Sequence, residues 1–397
     1  MISPTLDRPQ AALRSGFFLG DGTVFPVIEH IDDVLPHIAG DNGIYVSRYA
    51  THDTIGYGHH LDETFNSAMR RECRGLKFDK SGRLMAPPFH KFFNLGERER
   101  VEEIDWSRPH RVLEKLDGSM IHPALVDGGM VFMTRKGITA QAIEAGSHAT
   151  ESVRALARDR LAAGRTAIFE FTSPHNRIVI GYDRPALTLL AIRDNLTGTY
   201  TGFEEMQEMA GHFGVAVVRS HTVDGPTETL LNGVRGLADI EGYVVAFDDG
   251  HRLKLKTQHY ALRHKTLAGL ALEKNALECV VNDAIDDVVP LLPPMAAERL
   301  LLYQSRIQTG ISRLEAQVAE RLETLRGADR GTQARIINET LDKRLRPVAF
   351  KALDGKGARN AILDILRSAT HSQTRIDAVR DLFAMSWDGE DFEIQDG

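Results

Sequence analysis

Lys115-Leu116-Asp117-Gly118-Ser119 is the stretch on which the fold and the chemistry of this chain turn. It places a lysine two residues before an Asp-Gly turn, between the apolar pair Val112-Leu113 and the next apolar run. A lysine amine attacks phosphorus or carbon only when unprotonated. It therefore needs a rigid, desolvated or cation-rich site that lowers its pKa from about 10.4. A strand ending in lysine and turn supplies the rigidity, and Gly118 is expected to permit a sharp chain reversal. The plainer alternative is an exposed hairpin turn with a solvated lysine. A Lys-x-Asp-Gly string arises by chance in about one chain of this length in ten, so the reading depends on partners elsewhere.

The 397 residues are enough for two domains and a further small element. With 42% hydrophobic and 26% charged residues, the composition is that of a soluble globular protein. A formal net charge of -7 excludes a uniformly basic nucleic-acid coat but leaves room for a local basic groove. The two cysteines, Cys73 and Cys279, argue against a disulfide framework and a Cys-rich zinc site, and fit a reducing compartment. The first residues lack a basic stretch followed by an apolar core, so no secretory signal is expected. No apolar run of about 18 residues occurs, so no membrane span is expected. These readings point to the cytoplasm.

Outward from Lys115, the texture changes near residue 262. Before it, short β-prone runs alternate with Gly, Pro, Asp and Asn. Phe78 to Leu84 and Phe247 to Leu253 read as hairpins turned at Ser81-Gly82 and Asp249-Gly250. Helical patterns cover Ala140 to Ala163 and Glu204 to Phe213. The expectation for 1–262 is an α+β domain with a mostly antiparallel sheet. After 262 the strand signal stops. Ile307, Ile311, Leu314, Val318, Leu322 and Leu325 repeat at helical spacing. Leu277 to Leu292 reads as a helix stopped by Pro293-Pro294, and Ala358 to Leu366 and Arg375 to Phe383 as later ones. The expectation for 263–397 is an all-helical C-terminal domain of about five helices. Its end, from Asp388, reads as an acidic tail.

Several segments hold residue types that nucleotide chemistry at a lysine requires. Lys254-Leu255-Lys256 alternates, so as a strand it presents both lysines on one face. Two ammoniums near Lys115 would lower its pKa and neutralise phosphate; the alternative is a solvated edge strand. Glu170, inside Ile168-Phe169-Glu170-Phe171, sits either on a solvated face, which the residue pattern alone favours, or in a functional cleft. Glu241, before Gly242, suits the hydrated shell of a hard cation, or is a charged strand end. Arg74-Gly75 and Lys91-Phe92-Phe93-Asn94 offer two basic points for outer phosphates. Their plainer readings are a surface arginine and a lysine stem lying over aromatic rings.

The order of these segments is the strong signal. Glu72 to Gly75, Lys91 to Leu95, Lys115 to Ser119, Arg135-Lys136-Gly137, Phe169 to Phe171 with Pro174 to Val179, Ile240 to Val244, and Lys254 to Tyr260 follow one another across most of 45–262. In this the chain resembles the lysine-adenylating nucleotidyltransferases, and more closely the phage-type RNA ligase 1 family. That resemblance implies a nucleotidyltransferase domain followed by a helical domain acting in RNA specificity. It implies an ATP-dependent RNA ligase that joins 5′-phosphate and 3′-hydroxyl RNA ends, through a lysyl-AMP and then an RNA-adenylate. ATP would be the AMP donor and Mg²⁺ the metal, with Mn²⁺ able to substitute.

By position, the resemblance makes Lys115 the AMP acceptor. Arg74 and Lys91 would hold the β- and γ-phosphates, and Glu114 would contact adenine. Asp117 and Gly118 would shape the turn, and Glu170 would bond the ribose. Glu241 would order the metal's water shell, and Lys254 and Lys256 would contact the α-phosphate. Tyr49, Lys136 and Tyr260 carry over as further nucleotide contacts, and Asp286 as a second metal-shell acid. The implied partners are RNA, tRNA among the candidates, and a separate end-healing kinase or phosphatase; a monomer is the implied state. A DNA ligase or capping enzyme uses the same chemistry but places an OB-fold barrel after the Lys-x-Lys strand. From a different class, the chain could be a non-catalytic RNA-binding protein with a degenerate domain.

Overall fold

The computed structural model describes residues 25–40, 43–58, 64–174, 179–221, 233–234, 236–389 and 392. The loop at 175–178, at the centre of one matching segment, and the acidic residues 390, 391 and 393 of the tail lie outside them. The chain divides into two compact units at Ala261/Leu262. The first is α+β and the second, among the described residues, is helical, as the sequence predicts.

Among the described residues, the first unit contains three sheets. β1 (Ile44–Arg48), β2 (Asp53–Tyr57), β3 (Leu76–Phe78) and β4 (Leu84–Ala86) form an antiparallel meander. The hairpin expected from Phe78 to Leu84 is its last connection. A five-stranded sheet combines β5 (Phe93–Asn94), β6 (His110–Lys115), β11 (Ser220–His221), β12 (Gly242–Phe247) and β13 (Arg252–Lys256) in the order β11-β6-β12-β13-β5. Only the short β5–β13 pair is parallel. The third sheet has the order β10-β9-β7-β8, from β7 (Ser119–Val126), β8 (Gly129–Met133), β9 (Arg165–Thr172) and β10 (Ala186–Asp194).

Period-2 alternation explains how these sheets are faced. In the five-stranded sheet, Val112, Val245, Leu253 and Leu255 join one apolar cluster with Phe247. Their neighbours one residue on, Leu113, Lys115, Val244, Lys254 and Lys256, therefore lie on the opposite face. In β9, Ala167, Phe169 and Phe171 enter the cluster covered by the helices Ala140–His148, Glu151–Ala162 and Phe203–Phe213. Burying each such aromatic contributes about 1.5–3 kcal/mol, which fixes β9 in this register. Glu170 is consequently turned away from those helices, on the side of Ile168 and Met120. That side is buried: Glu170 is only 9% exposed. The solvated face that its pattern alone favours is therefore corrected: Glu170 is buried.

The second unit is built on the helix Pro294–Glu323. Its predicted stripe is real: Ile307, Ile311, Leu314 and Val318 are buried in one cluster with Leu325. Gly310 lets the backbone of Phe383 approach, since a Cβ there would sit 2.9 Å from the Phe383 Cα. Buried Glu273 binds both guanidinium nitrogens of Arg380 and accepts from the Tyr303 hydroxyl at 3.1 Å.

Two helix boundaries differ from expectation. The helix read from Leu277 runs as Glu273–Val281 and breaks where Asp283 takes a φ of +57°. Pro293-Pro294 does not stop it but starts the next helix. Pro294 occupies a first-turn position, where a missing N–H is unpaired anyway. The pattern from Ala140 to Ala163 is two helices, because Ala149 is extended and Thr150 caps the second through Val153 N–H. Among the described residues no helix is long and apolar enough to cross a membrane.

Candidate active site

The lysine motif is not a hairpin. β6 and β7 belong to different sheets, and Lys115 to Ser119 is the joint by which the chain passes from one to the other. Gly118 is required for a different reason from the expected reversal: its φ is not positive. A Cβ there would lie 2.3 Å from the Phe171 carbonyl oxygen, so glycine is what allows the joint to press against β9. That contact brings Glu170 to the motif, where its carboxyl accepts from Gly118 N–H at 3.1 Å.

The register of β12 assembles the rest. Gly242 stands opposite Lys115 on β6 and opposite Lys256 on β13. Directly opposed residues in a sheet share a face, so the two lysines flank a position that has no side chain. A Cβ on Gly242 would fall 1.9 Å from the Leu255 carbonyl oxygen, and its φ of +146° also favours glycine. The carboxylate of the preceding residue, Glu241, binds both lysines. Its oxygens lie 2.7 Å from Lys115 Nζ and 3.1 Å from Lys256 Nζ, and the side chain is 3% exposed.

Asp117 is the second organiser. Its carboxylate accepts from Val179 N–H at 2.7 Å, Ile180 N–H at 2.6 Å and the Tyr260 hydroxyl at 2.8 Å. Its own N–H donates to the Tyr182 hydroxyl at 2.9 Å. Tyr260, on the helix Gln258–Leu270, also lies 5.0 Å below Lys256 Nζ as a cation–π partner. Lys254 Nζ is 4.9 Å from the Phe92 ring. Glu114 is half-buried on β6, and its N–H donates to the Arg219 carbonyl.

The charges act on one another. Burial pulls the Lys115 pKa down, but Glu241 and then Glu170 push it up further, so the net shift is upward. This corrects the expectation of a depressed lysine: in the nucleotide-free protein the surrounding acidic groups, Glu241 foremost, outweigh its burial. Beside it, Lys254 is depressed. Burial, then Arg74, Lys115, Lys91 and Lys256, hold it well below its ordinary value. Burial pushes the Glu241 carboxyl up, and the Lys115 and Lys256 ammoniums bring it below the usual carboxylate range. Burial and the Glu241 charge raise Asp117. Burial pushes Glu170 up to about 8 against the opposing Lys115 charge, with Glu241 and Asp117 adding to the rise.

Glu170 therefore keeps a proton in the native state that the unfolded chain releases near pH 4.3. Stability falls as pH rises through that window, and the full penalty is present above about pH 8. Glu170→Gln keeps the acceptor for Gly118 and removes the penalty. The Tm gain of Glu170→Gln over wild type is expected to widen from pH 5 to pH 8 and then level off. Each pKa unit is worth about 1.4 kcal/mol, and each kcal/mol moves Tm by about 2–4 °C in a unit of this size. A gain that is constant across that range in thermal melts would show that Glu170 is not held protonated.

The basic points upstream lie on other elements. Arg74 follows the helix Ala68–Glu72, with Nη1 3.3 Å from the Met120 thioether Sδ. Lys91 is 8% exposed, and its Nζ lies 5.2–5.3 Å from the rings of Tyr57, Phe65 and Phe93. Lys136 is exposed on the turn Thr134–Gly137, closed by reciprocal backbone bonds. Tyr49 is 45% exposed, stacks on His52 and donates to the Lys136 carbonyl. Asp286 is exposed in the second unit, on the short helix Ile285–Val288.

Sequence reasoning gave no role to three residues of this region. Tyr57, rather than Tyr49, has the ring near both Lys91 and the Arg135 guanidinium, at 5.3 and 4.5 Å. Arg135 is buried, and Lys77 is buried without any exposure. Strand periodicity could have found Tyr57, opposite Ile44 on β1. Nothing in the pattern marks Lys77 as internal.

Residues 72–260 match a family described as RNA ligase. Over this span the chain is similar to RNA ligases. The matched span opens two residues before Arg74 and closes on Tyr260, enclosing Lys91, Lys115, Glu170, Glu241, Lys254 and Lys256. Among curated relatives, a Thermovibrio ammonificans protein assigned as an RNA ligase is 29% identical over 309 residues, covering 75% of this chain and 80% of its own length. RNA ligase 1 of bacteriophage TS2126 is 29% identical over 292 residues, covering 68% of this chain and 70% of its own length. Among solved structures, an archaeal ATP-dependent RNA ligase aligns with a TM-score of 0.43 at 17% identity. The alignment covers 60% of this chain and 64% of that one.

Proposed function

We propose that this protein is an ATP-dependent RNA ligase that joins a 5′-phosphate to a 3′-hydroxyl on RNA, through AMP carried on Lys115. The observation that carries the reading is the pairing of Lys115 and Lys256 on buried Glu241 across Gly242. A purely structural lysine has no reason to end a strand at a glycine-gated carboxylate with a second lysine opposite.

In the first step the Lys115 ammonium loses its proton, and Nζ forms a bond to the α-phosphorus while the bond to pyrophosphate breaks. Lys254 and Lys256 neutralise the charge gathering on the α-phosphate. Arg74, Lys91 and Lys136 hold the outer phosphates, so that pyrophosphate leaves in line. Glu170 bonds the ribose, Glu114 borders the adenine, and Tyr260 is oriented by Asp117. In the second step an oxygen of the RNA 5′-phosphate attacks the lysyl-AMP phosphorus, and the Lys115 amine leaves and regains a proton. In the third the RNA 3′-hydroxyl attacks the activated 5′-phosphate, and AMP leaves.

Among the described residues no group of three or more His, Cys, Asp or Glu forms a protein cage for a metal. Glu241 fits the other mode, in which one carboxylate holds a divalent cation such as Mg²⁺ through water and substrate phosphates supply further ligands. When bound there, such a cation supplies charge neutralisation at the phosphates and weakens the hold of Glu241 on the Lys115 proton.

The RNA ends must arrive healed, so a separate kinase or phosphatase would precede this enzyme, and a broken tRNA is a fitting substrate. Incubated with ATP and Mg²⁺, the protein is expected to join single-stranded RNA carrying 5′-phosphate and 3′-hydroxyl ends, and to seal a nicked DNA duplex at least about tenfold more slowly. The tail of strands that an OB-fold barrel would require is absent among the described residues after Lys256. Equal or faster DNA sealing would move the assignment to a DNA ligase.

A further inference from the structure

Lys77 lies on β3 with no exposure to solvent, opposite Thr54 on β2 and Ala86 on β4. Its Nζ donates to the Gly75 carbonyl at 2.6 Å and to the Arg135 carbonyl at 2.8 Å. These carbonyls belong to different sheets' connections: Gly75 precedes β3, and Arg135 sits in the Thr134–Gly137 turn after β8. The two backbones already touch, since a Cβ on Gly75 would lie 2.6 Å from the Arg135 oxygen, and Gly75 has a φ of +101°. The Arg135 side chain is turned elsewhere, to the Tyr57 carbonyl at 3.0 Å and across the Tyr57 ring.

Burying an amine is costly, and burial, then Arg135 and Arg74, hold the Lys77 pKa well below its ordinary value. The buried rings of His52 and His122 also feel its charge. An apolar side chain would avoid that cost, so the amine has to be explained by the two carbonyls it joins. Each of them is adjacent in sequence to a cation assigned above to the outer phosphates of ATP: Arg74 beside Gly75, and Lys136 beside Arg135.

We infer that Lys77 is a positioning residue for ATP: its amine clamps the Gly75 and Arg135 carbonyls together, and thereby fixes the separation of Arg74 and Lys136 at the triphosphate. The inference rests on the ligase reading. It differs from a general structural role in one respect. Only the first step of ligation uses the triphosphate, whereas sealing of RNA that already carries 5′-AMP does not.

The test is Lys77→Met, which keeps the stem and removes the donor, assayed for both partial reactions in the full chain. The expected result is a rise of about tenfold or more in the KM for ATP in lysyl-AMP formation. Sealing of pre-adenylated RNA should stay within about twofold of wild type. Lys77→Gln, which retains an NH₂ donor, is expected to fall between the two, and carries the same test if Lys77→Met does not accumulate as folded protein. An unchanged KM for ATP in a folded variant, or equal losses in both reactions, would overturn the inference while leaving the ligase reading intact. Wild-type protein that neither takes up AMP nor seals pre-adenylated RNA would remove both.

Discussion

Lys115→Ala protein, incubated with Mg²⁺ and ATP labelled on the α-phosphate, is expected to carry no label through denaturation, whereas wild-type protein carries it. The expected loss exceeds about 10³-fold, because no other group can replace a covalent nucleophile. The neighbouring lysines cannot take over. Lys256 shares Glu241 with Lys115 but lies on the other side of Gly242, and Lys254 lies two residues back along β13. Lys115→Arg is expected to fail equally, since a guanidinium does not lose its proton in this range. The wild-type reaction should also quicken as pH rises from 6 to 9. Glu241, paired with it at 2.7 Å, holds the Lys115 ammonium protonated, so the attacking amine is a minority form whose share grows with pH. Label on Lys115→Ala equal to wild type would move the nucleophile elsewhere. Absence of label on folded wild type would end the covalent mechanism.

What the sequence made legible follows from the range of the interactions involved. Lys254-Leu255-Lys256 could be placed because strand alternation is local, and β13 does present both lysines on one face. The amphipathic stripe from Ile307 to Val318 could be read for the same reason. The sign of the Lys115 shift could not, because it is decided by Glu241 and Glu170, 126 and 55 residues away in sequence. Cations were visible near the motif in the ordered segments; that carboxylates lie closer is a fact of register, fixed when Gly242 pairs with both Lys115 and Lys256. Gly118 teaches the same lesson. Its need for a missing Cβ comes from the Phe171 carbonyl in another strand, not from the local turn that the Asp-Gly pair suggests. Lys77 is the extreme case: a lysine between Leu76 and Phe78 reads as the polar side of an edge strand, and only the approach of the Arg135 turn makes it internal.

Lys254→Met is expected to raise the stability of the nucleotide-free protein and to cripple its chemistry. Burial first, and then the charges of Arg74, Lys115, Lys91 and Lys256, hold the Lys254 pKa well below the ordinary lysine value. The unfolded chain binds that proton up to about pH 10.4, so at lower pH the unfolded state holds more protons and the native state is penalised. The penalty is fully present below the native pKa and disappears as pH rises toward 10.4. Methionine has a similar reach and keeps the contact with Phe92, which lies 4.9 Å from the amine. Thermal melts should therefore show Lys254→Met above wild type at pH 7, by about 2–4 °C for each kcal/mol relieved, with the advantage shrinking as pH approaches 10. The cluster that strains the empty protein is the one that receives the α-phosphate. Adenylylation is accordingly expected to fall by about 10²-fold or more, the usual cost of removing one preorganised donor at a developing charge. ATP should also raise the Tm of the variant less than that of wild type. A variant less stable than wild type at pH 7 would contradict the crowded-cation reading of β13. Undiminished adenylylation would free Lys254 from the α-phosphate and leave Lys256 to neutralise it alone.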